Sequence, residues 1–290
     1  MKSMIIKIIH TLLGNRFSYK LGRSLYMYAR HESGIIMQED GEFRIQKEFS
    51  DRLSFEEDKV VVIDVGANIG KWTVSLLDVI PHHKVSNVEI HAFEPISETF
   101  QTLKNNVERH PNGKHVKLVC KACSSTTGFD KMFIASTNSG SNSLHKGAVH
   151  SGFITEPIEK TTLDKYCMDN NLSRIHLIKS DTEGHEVEVI RGSQNLFAEE
   201  KVMVFQFEYN QLWCYSRYFL KDVFDFLGGM PYLIGKITPQ GLSVYRKWHP
   251  EIERFFESNY LIIHNDALCW FNHEIGSFDE FYYYDNTPRK

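Results

Sequence analysis

An α/β fold built on a mostly parallel sheet is predicted by two observations in this chain. The first is the run Val60-Val61-Val62-Ile63-Asp64-Val65, followed by Gly66 and Gly70 and then by the apolar helix start Trp72-Thr73-Val74-Ser75-Leu76-Leu77. An uninterrupted β-branched stretch suits a strand buried on both faces of a parallel sheet. The second is the alternation that follows. Strand patterns at 60–65, 88–93, 116–120, 174–180 and 201–208 are separated by helical patterns at 71–80, 96–109, 162–170 and 185–197, the order expected of strands joined by crossover helices.

The flanking segments read differently. Residues 1–55 form helical segments followed by a short extended piece at Glu42-Phe43-Arg44-Ile45, an N-terminal cap ahead of a main domain at 56–290. After Glu208, Pro231–Ile237 and Leu242–Tyr245 flank the turn Pro239-Gln240-Gly241 as an antiparallel hairpin, with Tyr260–His264 as the last strand. Between Ala135 and Lys160 the run Ser136–Ser143 has turn composition, with His145 and His150 behind it. A loop of that length inside a compact domain reads as a functional gate.

Composition narrows the function. A hydrophobic fraction of 42% with 24% charged residues is that of a folded soluble protein, and a net charge of −4 gives no nucleic-acid signature. Five scattered cysteines, an odd number, point to a reducing, cytoplasmic setting. Cys120 and Cys123 form a lone C-x-x-C inside a strand, where positions three apart face opposite ways, so a zinc site is not expected there. No apolar run reaches the roughly 20 residues of a membrane span. The first thirty residues carry Lys2, Lys7, Arg16, Lys20, Arg23 and Arg30 and no acid. They fit either an amphipathic helix in weak peripheral contact with an anionic membrane or a helix packed across the main domain with a solvated basic face. The second fits better, because interfacial helices usually carry a wider apolar face.

The loop after the first strand indicates its ligand. A dinucleotide loop would read G-x-G-x-x-G, its middle glycine letting the pyrophosphate reach backbone N–H groups. Here Asn68 stands in that place, which disfavours a phosphate-bearing ligand and suits S-adenosylmethionine, a nucleoside with a zwitterionic amino-acid end. Beyond it, Val88-Glu89-Ile90-His91-Ala92-Phe93-Glu94-Pro95 reads as a strand ending in a carboxylate. Glu94 offers two acceptor oxygens to the two adjacent ribose hydroxyls. A third strand, Ile175–Ser180, delivers Asp181-Thr182-Glu183-Gly184-His185-Glu186 to the same sheet edge. These carboxylates could orient an ammonium, bind an acceptor hydroxyl, or hold a divalent cation with Glu208 as a further ligand. The metal-free reading is the expectation, because a D-x-E pair is too common to imply a metal.

Four motifs in order resemble the FkbM family of S-adenosylmethionine-dependent methyltransferases: Val62-Ile63-Asp64-Val65-Gly66-Ala67-Asn68-Ile69-Gly70, Phe93-Glu94-Pro95, Thr161-Thr162-Leu163-Asp164 and Lys179-Ser180-Asp181-Thr182-Glu183-Gly184, over roughly residues 58–210. The resemblance implies a Rossmann-like class I methyltransferase fold, S-adenosylmethionine as cofactor, and O-methylation of a saccharide or secondary-metabolite hydroxyl. It also implies that Asp64, Gly66, Asn68 and Gly70 line the methionine end, Glu94 the ribose, and Asp181 and Glu183 the junction with the acceptor. The family commonly carries Ile-Asp-Val or Ile-Asp-Ala at the last motif, whereas Ser180 and Thr182 are polar here.

Methyl transfer to an alcohol needs alignment and a base. Asp181, Glu183 and His185 are the candidates, with His145 or His150 if the 135–160 loop closes over the acceptor. His185 would be favoured in its charged form by the two acids beside it, although a histidine at a helix start is more commonly a surface residue. Trp213 is expected near the acceptor as a stacking surface. Three other readings stay open: a noncatalytic nucleoside- or glycan-binding module, an N-methyltransferase, and a nicotinamide-dependent oxidoreductase, the last lacking its glycine pattern.

Overall fold

The computed structural model describes residues 2–30, 41–53, 59–135, 142–148, 152–278 and 284–285. In chain order its helices are α1 (Lys2–Ala29), α2 (Glu42–Leu53), α3 (Lys71–Val79), α4 (Ser97–Arg109), α5 (Leu163–Asp169), α6 (Glu186–Arg191), α7 (Gln194–Ala198), α8 (Trp213–Ser216) and α9 (Leu220–Phe226). The strands are β1 (Val60–Val65), β2 (Val88–Phe93), β3 (Val116–Val119), β4 (Ala122–Cys123), β5 (Gly128–Ile134), β6 (Ile154–Thr161), β7 (Leu177–Ser180), β8 (Val204–Tyr209), β9 (Tyr232–Ile237), β10 (Leu242–Tyr245), β11 (Ser258–His264), β12 (His273–Phe278) and β13 (Tyr284–Asp285).

Ten strands form one sheet in the order β13-β12-β10-β9-β11-β8-β7-β1-β2-β3. From β8 to β3 every neighbouring pair is parallel, and β11 then enters antiparallel between β8 and β9. The chain steps outward from β1 to β3, then returns to the other side of β1 through β7. That reversal between β1 and β7 opens a crevice at the strands' carboxyl ends, where ligands of such sheets bind.

Why β1 is central follows from its sequence. All six residues are buried, and alternate side chains enter two separate cores. Val61, Ile63 and Val65 pack with Val187, Ile190, Leu196 and Phe197, whereas Val60 and Val62 pack with Ile45, Phe49, Trp72, Leu76 and Leu77. A helix layer therefore covers each face. Each fully buried aliphatic or aromatic side chain contributes about 1.5–3 kcal/mol to that assembly.

Several expectations are corrected. Glu42–Ile45 is helical rather than extended: Ile45, Phe49 and Leu53, spaced by four, form the buried face of α2. Tyr260–His264 is not the last strand, since β12 and β13 follow it. The 185–197 helix is two helices, broken where a Cβ on Gly192 would stand 2.1 Å from the Ser124 carbonyl oxygen. Much of the 135–160 gate is strand β6, paired antiparallel with β5 over Gly128–Ile134 in a small sheet with β4. Residues 136–141 and 149–151, His150 among them, lie outside the described residues.

Nor does α1 pack across the main domain as expected. It is broken at Gly14 (φ 71°, ψ 164°), and from there to Ala29 all described side chains are exposed except the half-buried Ser18 and Met27. Contact is made at its end, by Tyr26 edge-on to Phe256 and by Arg30 to Glu251 at 3.2 Å. Among the described residues no helix is long and apolar enough to cross a membrane.

Candidate active site

The loop after β1 is shaped by backbone. Gly66 (φ 77°), Asn68 (φ 49°) and Gly70 (φ 86°) all adopt left-handed conformations, open to glycine and tolerated by asparagine. The N–H groups of Gly66 and Ala67 both donate to the Phe93 carbonyl, at 3.0 and 2.8 Å, tying the loop to the end of β2. A Cβ on Gly66 would lie 2.0 Å from the Asp181 carbonyl oxygen, so this glycine lets the ends of β1 and β7 close on one another. Gly70 has a different role: it caps α3, and a Cβ there would meet Leu103 of α4 at 2.7 Å.

Glu94 follows β2 and is buried. Its Oε2 accepts from the Asn68 N–H at 3.0 Å and its Oε1 from the Ile96 N–H at 2.9 Å. Burial pushes its carboxyl up to about 7, against the pull of those two N–H donors. In this loop the N–H at the middle-glycine position is therefore spent on a carboxylate.

A cleft opens beside these groups. Gly66, Asn68 and Glu94 line one part, Ile96, Ala122, Met132 and Leu144 an apolar part, and Asp181, Thr182, Glu183 and His185 the third. The structure thus brings together six of the eight predicted site residues. Asp64 and Gly70 do not line the cleft. Asp64 is fully buried beneath it, accepting from Thr73 Oγ1 at 2.5 Å, with burial holding its carboxyl above the usual range.

Lys179 is a site residue that sequence reasoning passed over. Buried on β7, its Nζ lies 3.0 Å from Asp181 Oδ2 and 3.9 Å from Asp64 Oδ1. Burial alone would lower its affinity for a proton, but the charges of Asp181 and Asp64 more than offset that and hold it above the ordinary lysine value. Its place at the head of the Lys179–Gly184 motif, next to the apolar Leu177-Ile178, was the available signal.

The acids respond to burial and to one another. Glu183, itself in a left-handed conformation (φ 54°), is pushed up to about 9 by burial and by the charges of Asp181 and Glu186. Glu186 is raised to about 7 by burial, and Glu208 stands well above the carboxylate range for the same reason with Asp181 and Glu183 adding to it.

His185 corrects another expectation. It is neither exposed nor favoured in its charged form: burial and the neighbouring His145 lower it to about 4. Its Nε2 pairs with Ser124 Oγ at 3.0 Å and its Nδ1 with His145 Nε2 at 3.3 Å. The described part of the 135–160 segment supplies His145, and Ser143 Oγ donates to the Glu183 carbonyl at 2.8 Å, fastening that segment beside the cleft.

Trp213 is not a stacking surface. It is 1% exposed, its Nε1 donates to the Glu208 carbonyl at 3.1 Å, and it packs on Phe207 and Tyr209. Cys120 and Cys123 are both free thiols, one exposed and one buried.

A hexuronic acid methyltransferase, AglP, from Haloferax volcanii is 30% identical over 142 residues, 48% of this chain. The chain spans about half the length of that curated relative, 52%. Among solved structures, an FkbM methyltransferase from Methylobacillus flagellatus KT is similar with a TM-score of 0.45 and 17% identity, covering 74% of this chain and 47% of that one. A precorrin-6y C5,15-methyltransferase from Geobacter metallireducens GS-15 is similar with a TM-score of 0.38 and 12% identity, covering 76% and 88%. The pattern of the FkbM methyltransferase domain matches residues 64–234, more than half of the sequence, and the chain belongs to that family.

Proposed function

We propose that this chain is an S-adenosylmethionine-dependent O-methyltransferase acting on a hydroxyl of a saccharide or glycosylated metabolite. The observation that carries the reading is the Asn68–Glu94 arrangement: the loop that would clamp a phosphate instead holds a buried carboxylate beside an apolar cleft. Those residues fit the cofactor. Glu94 keeps a second lone pair on each oxygen for vicinal hydroxyls. Ile96, Met132 and Leu144 suit a flat base, and Asn68 Oδ1 is a buried acceptor with no partner among the described residues, available to an ammonium. When bound, S-adenosylmethionine supplies an activated methyl group.

The chain's own contribution is alignment and proton handling. Asp181, held by Lys179, orients the acceptor hydroxyl from the cleft wall. Glu183, raised to about 9, stays protonated near neutral pH and serves as a hydrogen-bond donor rather than as the base. His185 is neutral near pH 7 and takes up the hydroxyl proton.

The saccharide part rests on the hexuronic acid methyltransferase relative. Incubation with S-adenosylmethionine and a panel of uronic acids and their glycosides should yield S-adenosylhomocysteine and a methyl ether. Tight cofactor binding without turnover on any hydroxyl acceptor would favour a noncatalytic module, and methylation of amines alone would move the reading to N-methylation.

The same reading includes a cytoplasmic setting and a peripheral contact through α1. Exposed Phe17, Tyr19, Leu25 and Tyr28 lie among Arg16, Lys20 and Arg23, so apolar and cationic groups share one solvent-facing helix. Sedimentation should recover the protein with vesicles rich in phosphatidylglycerol and not with phosphatidylcholine alone. Loss of the difference in an Arg16→Glu, Lys20→Glu, Arg23→Glu variant is the expected control result, and equal recovery of that variant would reject α1 as the contact.

A further inference from the structure

Three carboxylates from three parts of the fold converge behind the cleft. Asp181 follows β7, Glu186 opens α6 and Glu208 lies on β8, and each offers one oxygen within 4.8 Å of the other two. One oxygen of each carboxylate is engaged by a donor. Asp181 Oδ2 bonds Lys179 at 3.0 Å, Glu186 Oε1 accepts from the Thr182 N–H at 2.7 Å, and Glu208 Oε2 accepts from Asn210 Nδ2 at 2.9 Å. A separate observation concerns Glu186 alone. Its side chain is 0% exposed, yet Oε2 has no hydrogen-bond partner among the described residues. Thr182 and Gly184 pin Oε1, so the carboxylate does not turn to satisfy its other oxygen. A buried carboxylate oxygen without a donor calls for a proton, a water or a cation to satisfy it.

We propose that Asp181, Glu186 and Glu208 form a site for one hard divalent cation of the magnesium or manganese type. Oxygens bound to one cation cannot be farther apart than twice the metal–oxygen distance, about 4.2 Å for magnesium and up to about 5.2 Å for a larger ion; lying within 4.8 Å of one another, the three meet the larger limit and need only a small closure about a smaller ion. An all-oxygen donor set without thiolate selects hard ions, and the imidazoles nearby are directed at Ser124 and at each other. Lys179 is shared between Asp64 and Asp181. Among the described residues it makes no ion pair with Glu186 or Glu208, so a second cation is what would let those two ionise. Asp181 lines the cleft and the other two ligands do not, so open coordination positions of the ion face the cleft past Asp181. This inference goes beyond the proposed reaction, since it depends on the acids and not on the identity of the acceptor.

The test is a manganese titration of the EDTA-stripped full-length chain, read by the free Mn²⁺ electron paramagnetic resonance signal. One ion should bind per chain, magnesium should compete, and Glu208→Gln should weaken binding by at least about tenfold, as expected when a ligand is lost. Glu183→Gln, which removes a neighbouring acid outside the ligand set, should bind within about threefold of the parent. Glu186→Gln is the sharper variant, with circular dichroism as its folding control. Should it fail to fold, the half-buried Glu208 carries the test. No binding up to millimolar manganese, equal affinity in Glu208→Gln and the parent, or stoichiometric displacement of manganese by S-adenosylhomocysteine would overturn the site. The last of these would assign the acids to an ammonium instead. Calorimetry of S-adenosylhomocysteine with the stripped protein separates failure of the metal site from failure of the proposed function.

Discussion

The two sides of the cleft are built by different means. On the β1–β2 side, backbone N–H groups and three left-handed residues set the shape, and one carboxylate is fixed by two N–H donors. On the β7–β8 side, the surface is made of titratable side chains drawn from a strand end, a helix start, a neighbouring strand and the segment carrying His145, each altering the proton affinity of the next. A wall of backbone holds one shape across a range of pH, whereas a wall of coupled side chains changes its charge with what it binds. The first suits a constant cofactor and the second suits chemistry. Substitutions on the two sides should therefore separate cofactor affinity from turnover.

The largest effect is expected at His185. Replacing it with Ala removes the neutral imidazole, and turnover should fall by roughly 10²–10⁴, the range for losing a general base. Cofactor affinity, measured by calorimetry, should stay within about twofold, because His185 bonds to Ser124 and His145 and not to the Gly66–Glu94 side. A matching loss of affinity and turnover would show that the two sides are one unit. A fully active variant would remove His185 from the proton path.

How much of this was legible in the sequence follows the same division. The β1 loop could be read because a β-branched run and glycines at fixed spacing have few other uses, and strands 60–65 and 88–93 stand where the pattern put them. Left-handed backbone leaves a residue-type signature. The acid wall left less. Asp181 and Glu183 were visible at a strand end, but the proton affinity of Glu183 depends on its burial and on Asp181 and Glu186, and the meeting of these acids with Lys179 and Glu208 is decided by register between β1, β7 and β8. His185 looked like a surface residue at a helix start because its burial is imposed by Ser124 and His145, 61 and 40 residues away. Glu42–Ile45 was misread because four residues are too few to tell period 2 from period 3.6. Trp213 was misplaced because an aromatic after a strand serves a core as readily as a site.

The next effect is at Gly66. Alanine there would be held at φ near +77° and would place its Cβ 2.0 Å from the Asp181 carbonyl oxygen. Left-handed strain costs about 1–3 kcal/mol, and overpacking of this kind typically adds about 1–3 kcal/mol. Because the clash is with the backbone of the opposite wall, the variant should melt several degrees lower as well as bind the cofactor weakly. A Gly66→Ala protein with parental melting temperature and intact affinity would show that the walls move apart without penalty.

The smallest effect, and the one that tests the β1–β2 side most directly, is the pH dependence set by Glu94. Its carboxyl is raised by burial from 4.5 to about 7. An acceptor for two hydroxyl donors works best ionised, so below that value part of the binding energy must be spent on releasing the proton. Cofactor affinity should therefore rise between pH 6 and 8, approaching tenfold per unit well below the shifted value and levelling above it. Stability of the ligand-free protein runs the other way at this residue. A carboxyl whose folded value lies above its unfolded one contributes stability that is complete below about pH 4.5 and is lost as the pH rises through about 7. Glu94→Gln should flatten the affinity profile while keeping an acceptor oxygen and an amide of the same shape, at a loss of about 1–2 kcal/mol in binding at pH 8. An affinity that is flat from pH 6 to 8 in the parent would mean that Glu94 only braces Asn68 and Ile96. The slope would then have to be sought in the acids across the cleft, and the division between a backbone wall and a titrating wall would be sharper than the Glu94 proton allows.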